Sequence, residues 1–281
     1  MKKTVAIILS LILVWSLAGC GPNSGDSQAS DDNGGKTELI IFAASSMTES
    51  LEEVGELYKE TNPDISLIFN FDSSGTLKTQ IEEGAVCDIF ISAAQKQMDD
   101  LDSLITAESD IDDGLNLLLP DTRTDILENK VVLSVPEDNP GNIASFDDLA
   151  EGLRSGTIVL AMGNEDVPVG QYTKKILDFY GLNENDLVKS GLITYCSNVK
   201  EVTTQVSEGS VDAGIIYATD AFSAGLEPID TADEKMCGKV VYPAAVLSLS
   251  THPEAATDFL NFLKSGEASE VFKKVGFSPL F

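Results

Sequence analysis

Apolar runs of strand length alternate along this chain with segments of helical period, and each switch falls on a compact turn. Residues 39–44 form an unbroken apolar run, after which Leu51, Val54 and Leu57 recur at helical spacing through 47–59. The pattern repeats: a strand at 65–71, a helix at 77–83 closed by Gly84, then a strand at 87–93. Further on it predicts strands at 157–161, 192–196 and 213–217, separated by helices at 168–180 and 199–208. Residues 239–249 read as extended and are interrupted at Pro243, and two helices, 253–264 and 267–274, follow on either side of Gly266. Such alternation implies right-handed βαβ units, hence an α/β fold of mostly parallel sheets with helices on both faces. The stretch from Asp99 to Asp113 is acidic, Leu115 to Leu127 is broken by Pro120, and both are expected to be a surface excursion.

At 281 residues the chain exceeds one ordinary domain, and two lobes are expected. Its start carries Lys2 and Lys3, an apolar run from Val5 to Trp15, and then Leu17-Ala18-Gly19-Cys20, the plan of a secretory signal spanning 1–19. Residues 21–36 are dominated by Gly, Ser, Asp and Asn and are expected to serve as a flexible tether. Beyond the signal no apolar run approaches the roughly 18 residues a membrane span requires. Acidic residues outnumber basic ones by 46 to 18, a formal charge of −28, which repels nucleic acid and argues against it as a partner. Cys87, Cys196 and Cys237 form no Cys-x-x-Cys pair, so zinc ribbons and thioredoxin chemistry find no support. Export permits one disulfide, with Cys196 and Cys237 the favoured pair, and three separate thiols are an equal alternative.

Four turns attract attention because a helix start presents unpaired N–H groups and the positive end of a dipole to any nearby anion. They are Ser45-Ser46, Ser73-Ser74, Pro168-Val169 and Asn198-Val199. Ser46 with Glu49 fits a capping box, and capping alone is a sufficient reading of that serine. Ser73-Ser74-Gly75-Thr76, by contrast, crowds three hydroxyls and a glycine onto one helix start, more than a cap needs. Val169 and Val199 interest us only for their main-chain N–H groups, and each is also readable as a plain helix start. Tyr217 closes a strand, where its ring packs or its phenol reaches into a cleft. Catalytic signatures are missing: His252 is the lone histidine, and no Gly-x-Ser-x-Gly, P-loop or His-Glu-x-x-His occurs. The cluster Asp110-Ile111-Asp112-Asp113 lacks the glycine and closing glutamate of a calcium loop. No enzyme activity is expected.

Several of these segments resemble one family. Phe42-Ala-Ala-Ser-Ser-Met-Thr48, Phe71-Asp-Ser-Ser-Gly-Thr-Leu77, Gly84-Ala-Val-Cys-Asp-Ile-Phe-Ile-Ser-Ala93 and Gly214-Ile-Ile-Tyr-Ala-Thr-Asp-Ala221 are similar to the molybdate-binding proteins of bacterial ABC importers. So is the tail from Phe262-Leu-Lys-Ser-Gly266 through Val271-Phe-Lys-Lys-Val-Gly-Phe277, and the similarity runs in order from about Glu38 to Phe277. The resemblance implies the two-lobed type II periplasmic-binding-protein fold with a ligand cleft between the lobes. With the strand at 131–135 read as the crossing and the extended stretch at 239–249 as the return, the expected lobes are a first at 37–132, a second at 133–245 and a return to the first at 246–281. The resemblance implies molybdate, with tungstate close behind, as ligand, no cofactor, and a metal bound only as its oxyanion. Its ligand positions fall on Ser46, Ser74, Val169, Val199 and Tyr217, with Ser45 adding a possible secondary hydroxyl. Leu-Ala-Gly-Cys resembles a lipobox, which implies a lipidated Cys20 anchoring an exported monomer to a membrane's outer face, where it serves permease subunits. Sulfate, phosphate and tungstate alone are the rival ligands. Asp72, beside the second serine turn, is expected to point away from an anion.

Overall fold

A computed structural model describes residues 36–102 and 117–281. The signal, Cys20, nearly all of the tether and most of the acidic excursion lie outside the described residues. Among the described residues no helix is long and apolar enough to cross a membrane.

The first sheet is built around β1 (Thr37–Ala44), β2 (Ile65–Asp72) and β3 (Ile89–Ile91). Between them run α1 (Thr48–Thr61) and α2 (Ser74–Glu82), and α3 (Gln95–Asp99) follows β3. β1 pairs with β2 in parallel from Thr37 opposite Ile65 to Ala44 opposite Asp72. Both strands therefore end at the same level, and the two serine turns that follow emerge side by side. Leu39 and Ile41 of β1 pack with Leu51 and Val54 of α1, all four fully buried. This is the apolar stripe that the helical spacing predicted.

β4 (Thr124–Asn129) completes a run into the second lobe, because only Lys130 separates it from β5 (Val131–Ser134). The second lobe continues with α4 (Phe146–Ser155), β6 (Leu160–Gly163), α5 (Pro168–Phe179), α6 (Glu184–Lys189) and β7 (Ile193–Cys196). It closes with α7 (Val199–Ser207), β8 (Ala213–Tyr217), α8 (Ala218–Ala224), β9 (Asp230–Thr231) and α9 (Glu234–Cys237). β10 (Val240–Val246) returns to the first sheet, followed by α10 (Pro253–Phe262), α11 (Gly266–Lys274) and β11 (Ser278–Pro279). Strand order is β11-β4-β10-β3-β1-β2 in the first sheet and β7-β6-β8-β5-β9 in the second.

Both sheets are mixed, which corrects the expectation of mostly parallel pairing. β10 runs antiparallel to β3 and β4, and β5 runs antiparallel to β8 and β9. The antiparallel pairs belong to the strands that carry the chain between lobes, whose direction is set by the crossing and not by a βαβ return. β4 itself falls where a surface excursion was expected. Thr124-Asp125-Ile126-Leu127-Glu128-Asn129 has only two apolar residues, both fully buried, and it becomes a strand because β10 and β11 flank it. Sheet membership changes at Lys130 and again at Lys239, so we propose these as the lobe boundaries in place of 132/133 and 245/246. Cys87, Cys196 and Cys237 are buried, separate thiols, which leaves the Cys196–Cys237 pair unformed. Burial pushes Cys87 and Cys196 up to about 12 and Cys237 to about 11, so none is a reactive thiolate at neutral pH.

One close approach fixes the start of α5. A Cβ on Gly170 would lie 2.2 Å from the Gly163 carbonyl oxygen and 2.4 Å from that of Asn164. These are backbone atoms at the end of β6, so the helix could enter only by shifting. Gly170→Ala is therefore expected to destabilise the protein by about 1–3 kcal/mol. A lowered urea midpoint at unchanged slope is the expected reading.

Candidate functional site

Parallel strands that end together bring the helix starts after them to one place, and both lobes do this on the faces that meet. The result is a small cavity walled by Ala44, Ser45, Ser46, Asp72, Ser73, Ser74 and Ala93 from the first lobe. Val167, Pro168, Val169, Val199 and Tyr217 complete it from the second. Ser46, Ser74, Val169, Val199 and Tyr217 thus share one cavity, with Ser45 beside them. About 10 Å³ is open to the centre of a water-sized sphere, room for one small ion and for no sugar or amino acid. Among the described residues no lysine, arginine or histidine contributes to its wall.

Each donor is held by its local structure. Residues Ser45–Met47 make a single 3₁₀ turn whose N–H groups open α1. Ser46 does not cap it, contrary to the capping-box reading; its Oγ lies 2.8 Å from Tyr242 Oη, because β10 brings that buried phenol up beneath the turn. In the second turn the two serines divide the work. Ser73 Oγ accepts the Thr76 N–H at 3.1 Å and serves as the cap, whereas Ser74 Oγ accepts the Ala93 N–H at 3.0 Å. An oxygen already accepting a backbone N–H keeps its own proton for another partner. Val169 and Val199 stand in the first turns of α5 and α7, where the N–H groups have no intrahelical carbonyl. Pro168 occupies the first position of α5, and Asn198 Oδ1 caps α7 through the Glu201 N–H at 3.0 Å.

Tyr217 packs, and it also lines the cavity. Its ring meets those of Tyr172 and Tyr242 edge-on, at centroid distances of 6.3 and 6.0 Å. Its hydroxyl, on a residue 1% exposed, has no hydrogen-bond partner among the described residues. A buried phenol left unpaired is costly, and here it belongs to a residue in the wall of a cavity lined with other donors. Burial drives its pKa well above the ordinary value, so it remains a neutral donor.

Asp72 is only partly turned away. Its Oδ1 accepts the Ser73 N–H at 2.7 Å and lies 3.5 Å from Asn198 Nδ2 of the opposite lobe, yet the residue remains in the wall. Sequence reasoning missed Tyr242 and Asn129 altogether, since neither lies at a helix start. Asn129 Nδ2 donates to Tyr242 Oη at 3.2 Å and to Thr219 Oγ1 at 2.9 Å, which joins the first crossing strand to both lobes.

The lobes touch around this cavity. A Cβ on Gly75 would lie 2.1 Å from the Asp166 carbonyl oxygen, so that approach requires glycine. Lys200 of the second lobe pairs with Glu49 of the first at 2.7 Å and lies 3.7 Å from Asp220 Oδ1. Asp220 is 1% exposed and neither of its carboxylate oxygens has a hydrogen-bond partner among the described residues. Burial pushes its pKa up to about 7 from an ordinary 3.8, with Lys200 opposing the rise and Glu49 adding to it. A carboxyl that holds its proton more tightly when folded stabilises the fold at low pH, and that contribution is lost as pH rises from about 4 through about 7. Asp220→Asn is expected to remove this component, gaining on the wild type in thermal stability as pH increases across that window. A constant difference between the two melting temperatures over the window would contradict it.

A two-lobed α/β body that meets over a cavity of ion size has the architecture of a solute receptor. The chain belongs to the bacterial extracellular solute-binding proteins, whose family model matches residues 39–278. It is 34% identical, over 99% of its length and 98% of the other chain, to a protein of Bacillus subtilis (strain 168) named as an ABC transporter substrate-binding lipoprotein. It is 32% identical to the molybdate-binding protein of Haemophilus influenzae (strain KW20 / Rd), over 99% of both chains. The periplasmic molybdate-binding protein of Azotobacter vinelandii shares the fold with a TM-score of 0.72 at 19% identity, covering 85% of this chain and 98% of that one.

Proposed function

We propose that this protein captures molybdate, and tungstate with it, outside the membrane and delivers it to the permease subunits of an ABC importer. The observation that carries the reading is the convergence on one ion-sized cavity of uncharged donors from both lobes, with the buried Tyr217 hydroxyl unpaired. A fully deprotonated tetrahedral dianion offers only acceptors, so such a lining satisfies it. Protonated anions, which also need an acceptor, are disfavoured. Each hydrogen bond to an ionised group is worth roughly 1.5–3 kcal/mol, and a handful suffices for tight binding after entropy is subtracted. Size then separates molybdate from sulfate, which has the same charge and shape, whereas tungstate is close enough in size to enter. The relatives named for molybdate support the choice of ion.

Ser46 and Ser74 contribute hydroxyls from the first lobe, Val169 and Val199 contribute N–H groups from the second, and Tyr217 contributes its phenol. Ser45 is a secondary donor. The ion completes its shell only when the lobes meet, so binding selects the closed form by hinge motion at the crossing strands. The protein acts as a monomer, held at the outer face by lipid on Cys20.

In a thermal-shift panel, molybdate and tungstate are expected to raise the melting temperature while sulfate and phosphate do not, since ligand at about a thousand times its dissociation constant adds about 4 kcal/mol. A shift with sulfate or phosphate alone would transfer the site to that anion. Ser74→Ala removes one charge-assisted bond and is expected to weaken molybdate binding by roughly tenfold in calorimetry. Gly75→Val should hold the lobes apart through its collision with the Asp166 carbonyl. Small-angle scattering is then expected to show no compaction on adding molybdate, where the wild type compacts.

A further inference from the structure

The hydrogen bonds under Ser46 run in one direction. Lys130 N–H can only donate, and it meets Asn129 Oδ1 at 2.8 Å. That contact settles which end of the amide faces which neighbour, so Nδ2 is the atom 3.2 Å from Tyr242 Oη and it donates there. Tyr242 is fully buried, and burial raises its pKa well above the ordinary value, so it keeps a single phenolic proton. Its oxygen already accepts from Asn129, so that proton points to its other neighbour, Ser46 Oγ, 2.8 Å away. Ser46 is then an acceptor from Tyr242, and its own proton is left for the cavity.

We propose that Asn129 and Tyr242 are positioning residues that fix the Ser46 hydroxyl as a donor to the bound anion, so that the site's preference for unprotonated dianions is set at the interlobe crossing. The inference rests on the oxyanion reading above and deepens it. Asn129 is the last residue of β4, immediately before the crossing at Lys130, and its Nδ2 also holds Thr219 of the second lobe at 2.9 Å. The same amide that aligns the two lobes therefore orients a donor in the cavity, with no contact to the cavity itself.

Reversing the chain is the test. Asn129→Asp keeps an acceptor for Lys130 N–H but replaces the amide donor by a carboxylate oxygen. Tyr242 then donates to that oxygen, and Ser46 must donate to Tyr242 and present a lone pair to the ligand. The measurement is the ratio of affinities for molybdate and for singly protonated arsenate, taken by calorimetry above the carboxylate range. Added negative charge weakens both dianions alike and leaves the ratio unaffected, whereas a reversed hydroxyl favours the ion that carries a proton. Asn129→Asp is expected to lower the molybdate-to-arsenate ratio by about tenfold. Adding Tyr242→Phe to that variant removes the oxygen that captured the Ser46 proton and should raise the ratio again, to the value of Tyr242→Phe alone. Tyr242→Phe alone leaves the Ser46 hydroxyl with no donor to hold its direction, and should weaken molybdate and lower the ratio severalfold, by less than Asn129→Asp does. It also decides the matter if Asn129→Asp fails to fold, since a ratio left unchanged in Tyr242→Phe overturns the proposal. An unchanged ratio in Asn129→Asp, or no recovery in the double variant, overturns it while leaving the oxyanion reading intact. A wild type that binds no tetrahedral oxyanion removes both.

Discussion

Helix starts brought to a common point leave more hydrogen-bond donors than the surrounding protein can satisfy, and this surplus governs the architecture. Within one lobe the cost is small, because an open cleft lets water accept from the free N–H and O–H groups. With the lobes together, the Tyr217 hydroxyl is sealed beside Tyr172 and Tyr242 with no group among the described residues to accept its proton. Closure and ligand are thereby coupled. On the proposed reading, an oxygen-rich ion that satisfied the donors would also remove the penalty of closing over them, and a solute with its own donors would not.

The crossing strands make that coupling mechanical. β4 runs into β5 through Lys130 alone, and β10 returns beside β4, so both connections lie together in the first sheet. Tyr242 on the returning strand touches Ser46 on one side and Asn129 on the other. Around the rim, Glu49 with Lys200 and Gly75 against Asp166 are contacts between lobes that exist only when they are together. Asp220, buried beside Lys200, makes that rim sensitive to protonation.

Much of the framework was legible because its signals are local. Pro168 at a first helical position, the Asn198 cap and the apolar spacing of Leu51 and Val54 all act within a turn or two of chain. β4 was not legible, since its strand character comes from neighbours far away in sequence, and Ile126 and Leu127 alone look like an interrupted loop. The capping-box reading of Ser46 fails for a related reason. Its spacing to Glu49 is that of a cap, but the partner it takes lies almost two hundred residues away, at Tyr242.

The sequence by itself determined where helices begin and which turns carry hydroxyls, because propensity, capping and period are properties of neighbouring residues. Only the tertiary structure decided that these starts share one cavity, that Ser73 rather than Ser74 is the cap, and that Asn129 and Tyr242 stand behind Ser46. Those facts depend on strand register and on how two lobes meet, and the directions of hydrogen bonds follow from which groups are brought within hydrogen-bond reach of each other, which no local pattern encodes.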